Sequence, residues 1–300
     1  MKALIKENGI TELKNINYPV IDKNTYVLVK IILSGICRTD RLVAENAILT
    51  PHTIILGHES VGEVIQSSGH GISTGELVCI SPIQSCKDTP CGNVAHDTCQ
   101  NSRFMGLNYN GSFTEYIVVP KSSVYRIPKN INHKKAIFFE PVAAALSILN
   151  TGIRPRDNVL ILGHSRIAIL AHRILKYLGY NNCFLETNQL TSEYDFIVET
   201  DISNENIFKA LLLLKQHGTL IIKSKFPQEL ALPLQELQKK EITIKFANYG
   251  SFDQALKLII DDNFFIEDLY GEIFDLADFN KAFYKDSLDQ TKKIFLTSIA

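Results

Sequence analysis

Apolar and polar positions change rhythm partway along the chain. Up to about residue 125, short apolar stretches recur between turn residues: "TYVLVKIILSGI" (25–36), "GHESVGEVIQS" (57–67), "GELVCISP" (75–82) and "FTEYIVVP" (113–120). Runs of this kind, rich in Val, Ile, Tyr and Phe and bounded by Gly, Pro and Ser, predict strands and hence a β-rich lobe. From about residue 150, strand-like runs alternate with longer ones of helical period. "NVLILG" leads into a helix through "IAILAHRILKYLGY", then come "NNCFLE", "YDFIVET", a helix over "NENIFKALLLLKQHG" and the strand "TLIIKS". That alternation predicts a parallel sheet covered by helices, so the fold class is α/β. The closing "GEIFDLADFNKAFYKDSLDQTKKIFLTSIA" ends in a β-like run and is expected to rejoin the first lobe.

Composition narrows the function. A chain of 300 residues, 45% hydrophobic and 21% charged, can bury two cores. A formal net charge of −1 without basic runs gives neither nucleic acid nor an anionic membrane a long-range reason to bind, so small molecules or other subunits are the expected partners. The opening "MKALIKENGITELKNI" lacks an apolar core of signal-peptide length and no later window reaches a membrane span, from which a cytoplasmic location is expected. In that reducing compartment, the cysteines at 37, 79, 86, 91, 99 and 183 are expected as thiols or metal ligands rather than disulfides.

The candidate chemistry begins at "LSGICRTDRL", where Cys37 to Asp40 follow a strand-like run. A lone cysteine there is most often a small core residue. "ILGHESVGEV" adds His58 and Glu59, nitrogen and oxygen donors that zinc accepts. Glu140 interrupts the apolar "FFEPVAAALSIL" just before a proline, at an expected helix start. A buried carboxylate without a partner is costly, and a cation removes the cost.

"GICRTD", "GHESVGEV", "GELVCISP", "GSFTEYIVVP", "EPVAAALSIL" and "NVLILG", in this order, resemble the zinc-dependent medium-chain alcohol and polyol dehydrogenases. The resemblance implies a GroES-like catalytic domain over 1–148 and 268–300 and a Rossmann-type domain over 149–267, with the active site between them. It implies that Cys37, His58 and Glu140 hold a catalytic zinc, with Glu59 able to approach or join the metal. Glu140 in place of a cysteine is similar to the polyol, glucose and threonine dehydrogenase branch. Zinc with an open position would acidify a bound alcohol, Thr39 would relay its proton, and Asp40 would orient His58 through the other ring nitrogen. Arg38 matches a position that in some relatives contacts the cofactor pyrophosphate, and its alternative is a solvated arginine. Relatives often form dimers or tetramers, so a homodimer or homotetramer is expected.

Two segments depart from the family pattern. "CKDTPCGNVAHDTC" keeps the interval between Cys91 and Cys99 of a structural zinc lobe, but Cys86 is displaced by one residue and Asp88 stands at the second ligand position. A Cys3Asp site, with His96 as a competing fourth ligand, stands beside the alternative of three reduced thiols. In the cofactor lobe, "GHSRIA" places Gly163, Ser165 and Ala168 at the three fingerprint positions, with Arg166 able to offset the loss of the second glycine by charge. Glu186, 23 residues after Gly163, favours NAD over NADP because a carboxylate receives ribose hydroxyls and repels a 2′-phosphate. Only "TNQLTSE" separates Glu186 from the next strand, too short for a helical crossover though able to span roughly 23 Å when extended. The Rossmann sheet is therefore expected to be reduced. The favoured reading is a zinc- and NAD-dependent oxidoreductase of a secondary alcohol in a polyol, sugar or amino alcohol, and the rival is a non-catalytic homologue with a binding or regulatory role.

Overall fold

The structure, a computed structural model, describes residues 1–21, 24–68, 70–84, 102–187, 193–224 and 231–298. The chain divides into two compact units, Met1–Glu140 with Phe252–Ala300, and Pro141–Ser251. Among the described residues no helix is long and apolar enough to cross a membrane.

The first unit is built on β1 (Tyr26–Gly35), followed by α1 (Arg38–Ala44) and β2 (Glu59–Ser67), then β3 (Leu77–Ile80), β4 (Tyr116–Pro120) and β5 (Val124–Arg126). A seven-stranded sheet runs β5-β3-β2-β1 and continues through Lys293–Thr297 to Tyr270–Asp275, with β4 also paired to β1. The expected return of the C-terminal segment is thus realised as antiparallel pairing of Phe295 with Gly35 and Leu296 with Ser34. Alternate positions of the strands, Val27, Val29 and Ile31 with Val64, Val78, Ile80, Ile117 and Val119, fill one core. A second core gathers Ile36, Val43, Leu56, Phe113, Ile294 and Leu296, which anchors α1 and the loop before β2. α2 (Phe139–Leu146) closes this part of the chain.

The second unit holds a five-stranded parallel sheet of β6 (Val159–Leu162), β7 (Cys183–Leu185), β8 (Tyr194–Glu199), β9 (Leu214–Ile222) and β10 (Thr243–Phe246), in the order β7-β6-β8-β9-β10. Every residue of β6 is buried, as a strand covered on both faces requires. α3 (Arg166–Tyr177) joins β6 to β7, and α4 (Asn204–Leu213) joins β8 to β9. Ile207, Ala210 and Leu211 of α4 pack on Leu160, Leu162, Ile197, Leu220 and Ile222.

One expected element is shorter than its periodicity suggests. The helix over 204–218 stops at Leu213, because Leu214 turns extended (φ −73°, ψ 139°) and His217 takes φ +60°. The Lys240 ammonium donates to the carbonyls of Leu211, Leu212 and Leu214, which satisfies acceptors that a continued helix would have paired. The sheet has the expected reduction. A six-stranded dinucleotide-binding sheet runs 3-2-1-4-5-6, and removing strand 3 yields the order found here, with β7 at an edge.

Candidate functional site

Cys37 caps α1 in extended conformation (φ −105°, ψ 153°) directly after β1. Three residues later, Oδ2 of Asp40 accepts from the Cys37 N–H at 2.9 Å, a capping interaction that rigidifies the first turn. Its other oxygen accepts from the Gly57 N–H at 3.2 Å and lies 3.0 Å from Nδ1 of His58. Gly57 has φ +95° and a Cβ there would come within 2.4 Å of the Phe113 ring, so glycine alone suits this bend. Asp40 therefore ties the start of α1 to the loop that delivers His58. A carboxylate can only accept, so Nδ1 carries the proton and Nε2 is left for another ligand.

Ligand atoms of Cys37, His58 and Glu59 lie within 4.8 Å of one another, the one such grouping of His, Cys, Asp or Glu among the described residues. His58 and Glu59 are 2% and 1% exposed. Burial pulls His58 down, but the charges and hydrogen bonds of Asp40 and Cys37 outweigh it and leave the ring well above its ordinary pKa. The surroundings thus favour positive charge at this ring, carried by a proton or by a metal on Nε2. A soft sulfur, an imidazole with an oriented tautomer and a carboxylate suit zinc.

Glu59 has a partner that sequence reasoning missed. Lys293 donates to both Glu59 oxygens, at 2.7 and 2.5 Å, and to the Ile36 carbonyl at 3.2 Å. Burial raises the Glu59 pKa; Lys293 opposes that, the nearby Glu140 charge reinforces it, and the net shift is upward. Gly35 makes room for the pair, since a Cβ would meet Glu59 Oε2 at 2.3 Å. The available signal was a lysine opening the otherwise apolar "KIFLT", all but its last residue buried.

Glu140 is buried in the first turn of α2, close enough for its charge to act on Glu59, but it lies outside the 4.8 Å group. Thr39 is buried beside Cys37, and Arg38 is exposed at the first position of α1. Cys86, Asp88, Cys91, His96 and Cys99 lie outside the described residues.

In the second unit, Gly163 takes φ +106° at the end of β6. Ser165 caps the twelve-residue α3, and its buried Oγ has no hydrogen-bond partner. An orphaned hydroxyl at the head of a helix fits a phosphate oxygen, so Ser165 in the second glycine position suits a dinucleotide. Arg166 and Ala168 are buried in the first turn. Glu186, just past β7, accepts from the Gly163 N–H at 2.8 Å and from Lys209 of α4. Glu199 was not singled out from sequence. It is fully buried at the end of β8, accepts from Ser224 Oγ at 2.6 Å, and burial pushes its pKa up to about 7.

Residues 23–129 match the alcohol dehydrogenase GroES-like domain. L-threonine 3-dehydrogenase of Pyrococcus furiosus is 33% identical over 162 residues, 51% of this chain and 46% of that enzyme, so the match spans about half the length of this curated relative. D-xylulose reductase A of Aspergillus oryzae is 22% identical over 307 residues, 86% of each chain. A structure from Sinorhizobium meliloti 1021, described as a zinc-binding dehydrogenase bound to NADP, superposes with a TM-score of 0.89 at 21% identity, over 99% of this chain and 98% of that one. The likeness identifies the two units as GroES-like and Rossmann-type.

Proposed function

We propose that the chain, whose residues 23–129 match the alcohol dehydrogenase GroES-like domain and which is similar to L-threonine 3-dehydrogenase, is a zinc-dependent medium-chain alcohol and polyol dehydrogenase that transfers hydride between a secondary alcohol and a nicotinamide dinucleotide. The substrate class is a polyol, sugar or amino alcohol. The observation that carries this reading is the buried grouping of Cys37, His58 and Glu59 with Asp40 fixing the imidazole. Zinc bound there would supply Lewis acidity, bringing an alcohol within reach of ionisation near neutral pH.

The chain's own residues do the rest. Asp40 holds the His58 tautomer and, through its bonds to the Cys37 and Gly57 amides, the spacing of two ligands. Glu140 is a further candidate ligand, and Thr39 a hydroxyl that can accept the alcohol's proton and pass it on. The unpartnered Ser165 hydroxyl at the head of α3 supports a pyrophosphate site there, with Arg166 as a candidate cationic contact. Glu186 supports NAD through the ribose hydroxyls. A homodimer or homotetramer in the cytoplasm, and a structural zinc on Cys86, Asp88, Cys91 and Cys99, belong to the same proposal.

The test is reduction of NAD and NADP by purified, metal-analysed protein over a panel of sugar alcohols and amino alcohols. Turnover of at least one member, abolished together with a metal equivalent in Cys37→Ala, is expected. Zinc-loaded protein that turns over none of the panel and binds no dinucleotide at millimolar concentration overturns the reading in favour of a non-catalytic homologue.

A further inference from the structure

A carboxylate at the end of the second strand excludes a 2′-phosphate only while its charge is uncompensated, and in this chain it is compensated. Glu186 is 13% exposed; Oε2 accepts from the Gly163 N–H at 2.8 Å, Oε1 accepts from the Lys209 ammonium, and the highly exposed His164 places Nε2 3.8 Å from Oε2. Burial pushes Glu186 up, yet Lys209 and the Gly163 amide outweigh it and leave the carboxyl below its ordinary value. The group is therefore an ionised acid already paired with a cation.

Lys209 comes from an unusual direction for this partner. It lies on α4, which follows β8, whereas Glu186 follows β7, two strands away in the order β7-β6-β8. The Lys209 side chain is 37% exposed, so its ammonium is partly open to a ligand. A ribose 2′-phosphate carries close to two negative charges, as phosphomonoesters do at neutral pH. Against a bare carboxylate it meets repulsion; against the Glu186–Lys209 pair it meets no net charge and an ammonium with N–H donors beyond the one given to Glu186.

We propose that Lys209 sets cofactor specificity, converting a ribose site that selects NADH into one that accepts NADPH as well. The inference rests on the dehydrogenase reading above and deepens it. A lysine is suited to this dual duty: its flexible stem lets the ammonium leave Glu186 for a phosphate, while a ribose diol can still donate to the carboxylate.

The test is equilibrium binding of NADH and NADPH, read by nucleotide fluorescence without substrate, to wild type, Lys209→Met, Lys209→Arg and Glu186→Gln, each checked for folding by circular dichroism. Wild type is expected to bind the two within about tenfold of each other. Lys209→Met should weaken NADPH by about tenfold or more with NADH within about threefold, Lys209→Arg should retain NADPH, and Glu186→Gln should tighten it. A wild-type preference for NADH of about a hundredfold, unchanged in folded Lys209→Met, overturns the role of Lys209 while leaving the dehydrogenase reading intact. Failure of wild type to bind either nucleotide overturns the dinucleotide reading and this inference with it.

Discussion

Each unit sets a glutamate against a lysine, and the two pairs obey different physics. In the GroES-like unit, Glu59 and Lys293 are sealed at 1% and 3% side-chain exposure, and the lysine grips both carboxylate oxygens. In the Rossmann-type unit, Glu186 and Lys209 stand at 13% and 37%, with the lysine open to water. A sealed pair is committed: removing one charge strands the other in a medium that cannot solvate it. A half-open pair is exchangeable, because water already competes for the cation and a ligand phosphate can do the same. The first arrangement suits a site whose geometry must not drift. The second suits one that trades partners.

The largest expected effect breaks the sealed pair. In metal-free protein, Lys293→Met leaves Glu59 buried beside the Glu140 charge without its cation. A loss of about 3–5 kcal/mol in urea unfolding is expected, largely recovered in the Lys293→Met, Glu59→Gln double variant. A loss below about 1 kcal/mol would mean that water reaches Glu59 and the pair is not sealed.

A third glutamate sharpens the comparison because, among the described residues, no lysine contributes to the shift of its pKa. Glu199 rises from an ordinary value of 4.5 to about 7, so between those values the folded protein binds more protons than the unfolded one. Stability from this group is present below about pH 4.5 and is lost as pH rises through 7. Glu199→Gln should therefore be the more stable protein at pH 8, by on the order of 3 kcal/mol, with the gap closing toward pH 5. Equal pH dependence of the two unfolding free energies would contradict this.

Next in size is Asp40→Ala, which removes the acceptor of the Cys37 and Gly57 amides and of His58. Metal affinity, measured by competition with a chromophoric chelator, should fall about 10–100-fold. The smallest effect is the stability change in Lys209→Met, expected at no more than about 1 kcal/mol because the lysine is partly solvated and its loss leaves Glu186 within reach of water. A loss comparable to that of Lys293→Met would erase the distinction between the pairs.

What could be read in advance follows the same division. Cys37, Asp40, His58 and Glu59 were legible because each sits in a short motif whose local turn places it: the cap of α1 for Cys37 and Asp40, the left-handed Gly57 for the histidine. Lys293 was not, since its partner lies 234 residues away and strand pairing alone unites them. Lys209 reads as an ordinary solvent-facing lysine on an amphipathic helix until the strand order brings α4 within reach of the end of β7. The reduced sheet was legible from chain length, because the eight residues between Leu185 and Tyr194 cannot form a helical crossover. The early end of α4 was not, because its cap is the distant Lys240.

The central claim is that Cys37, His58 and Glu59 share one divalent ion. Zinc content per chain, measured by mass spectrometry on wild type, Cys37→Ala and His58→Ala purified identically, tests it most directly. Each variant should carry one equivalent less than wild type while remaining folded. Folded variants that retain the full wild-type zinc content would contradict the claim.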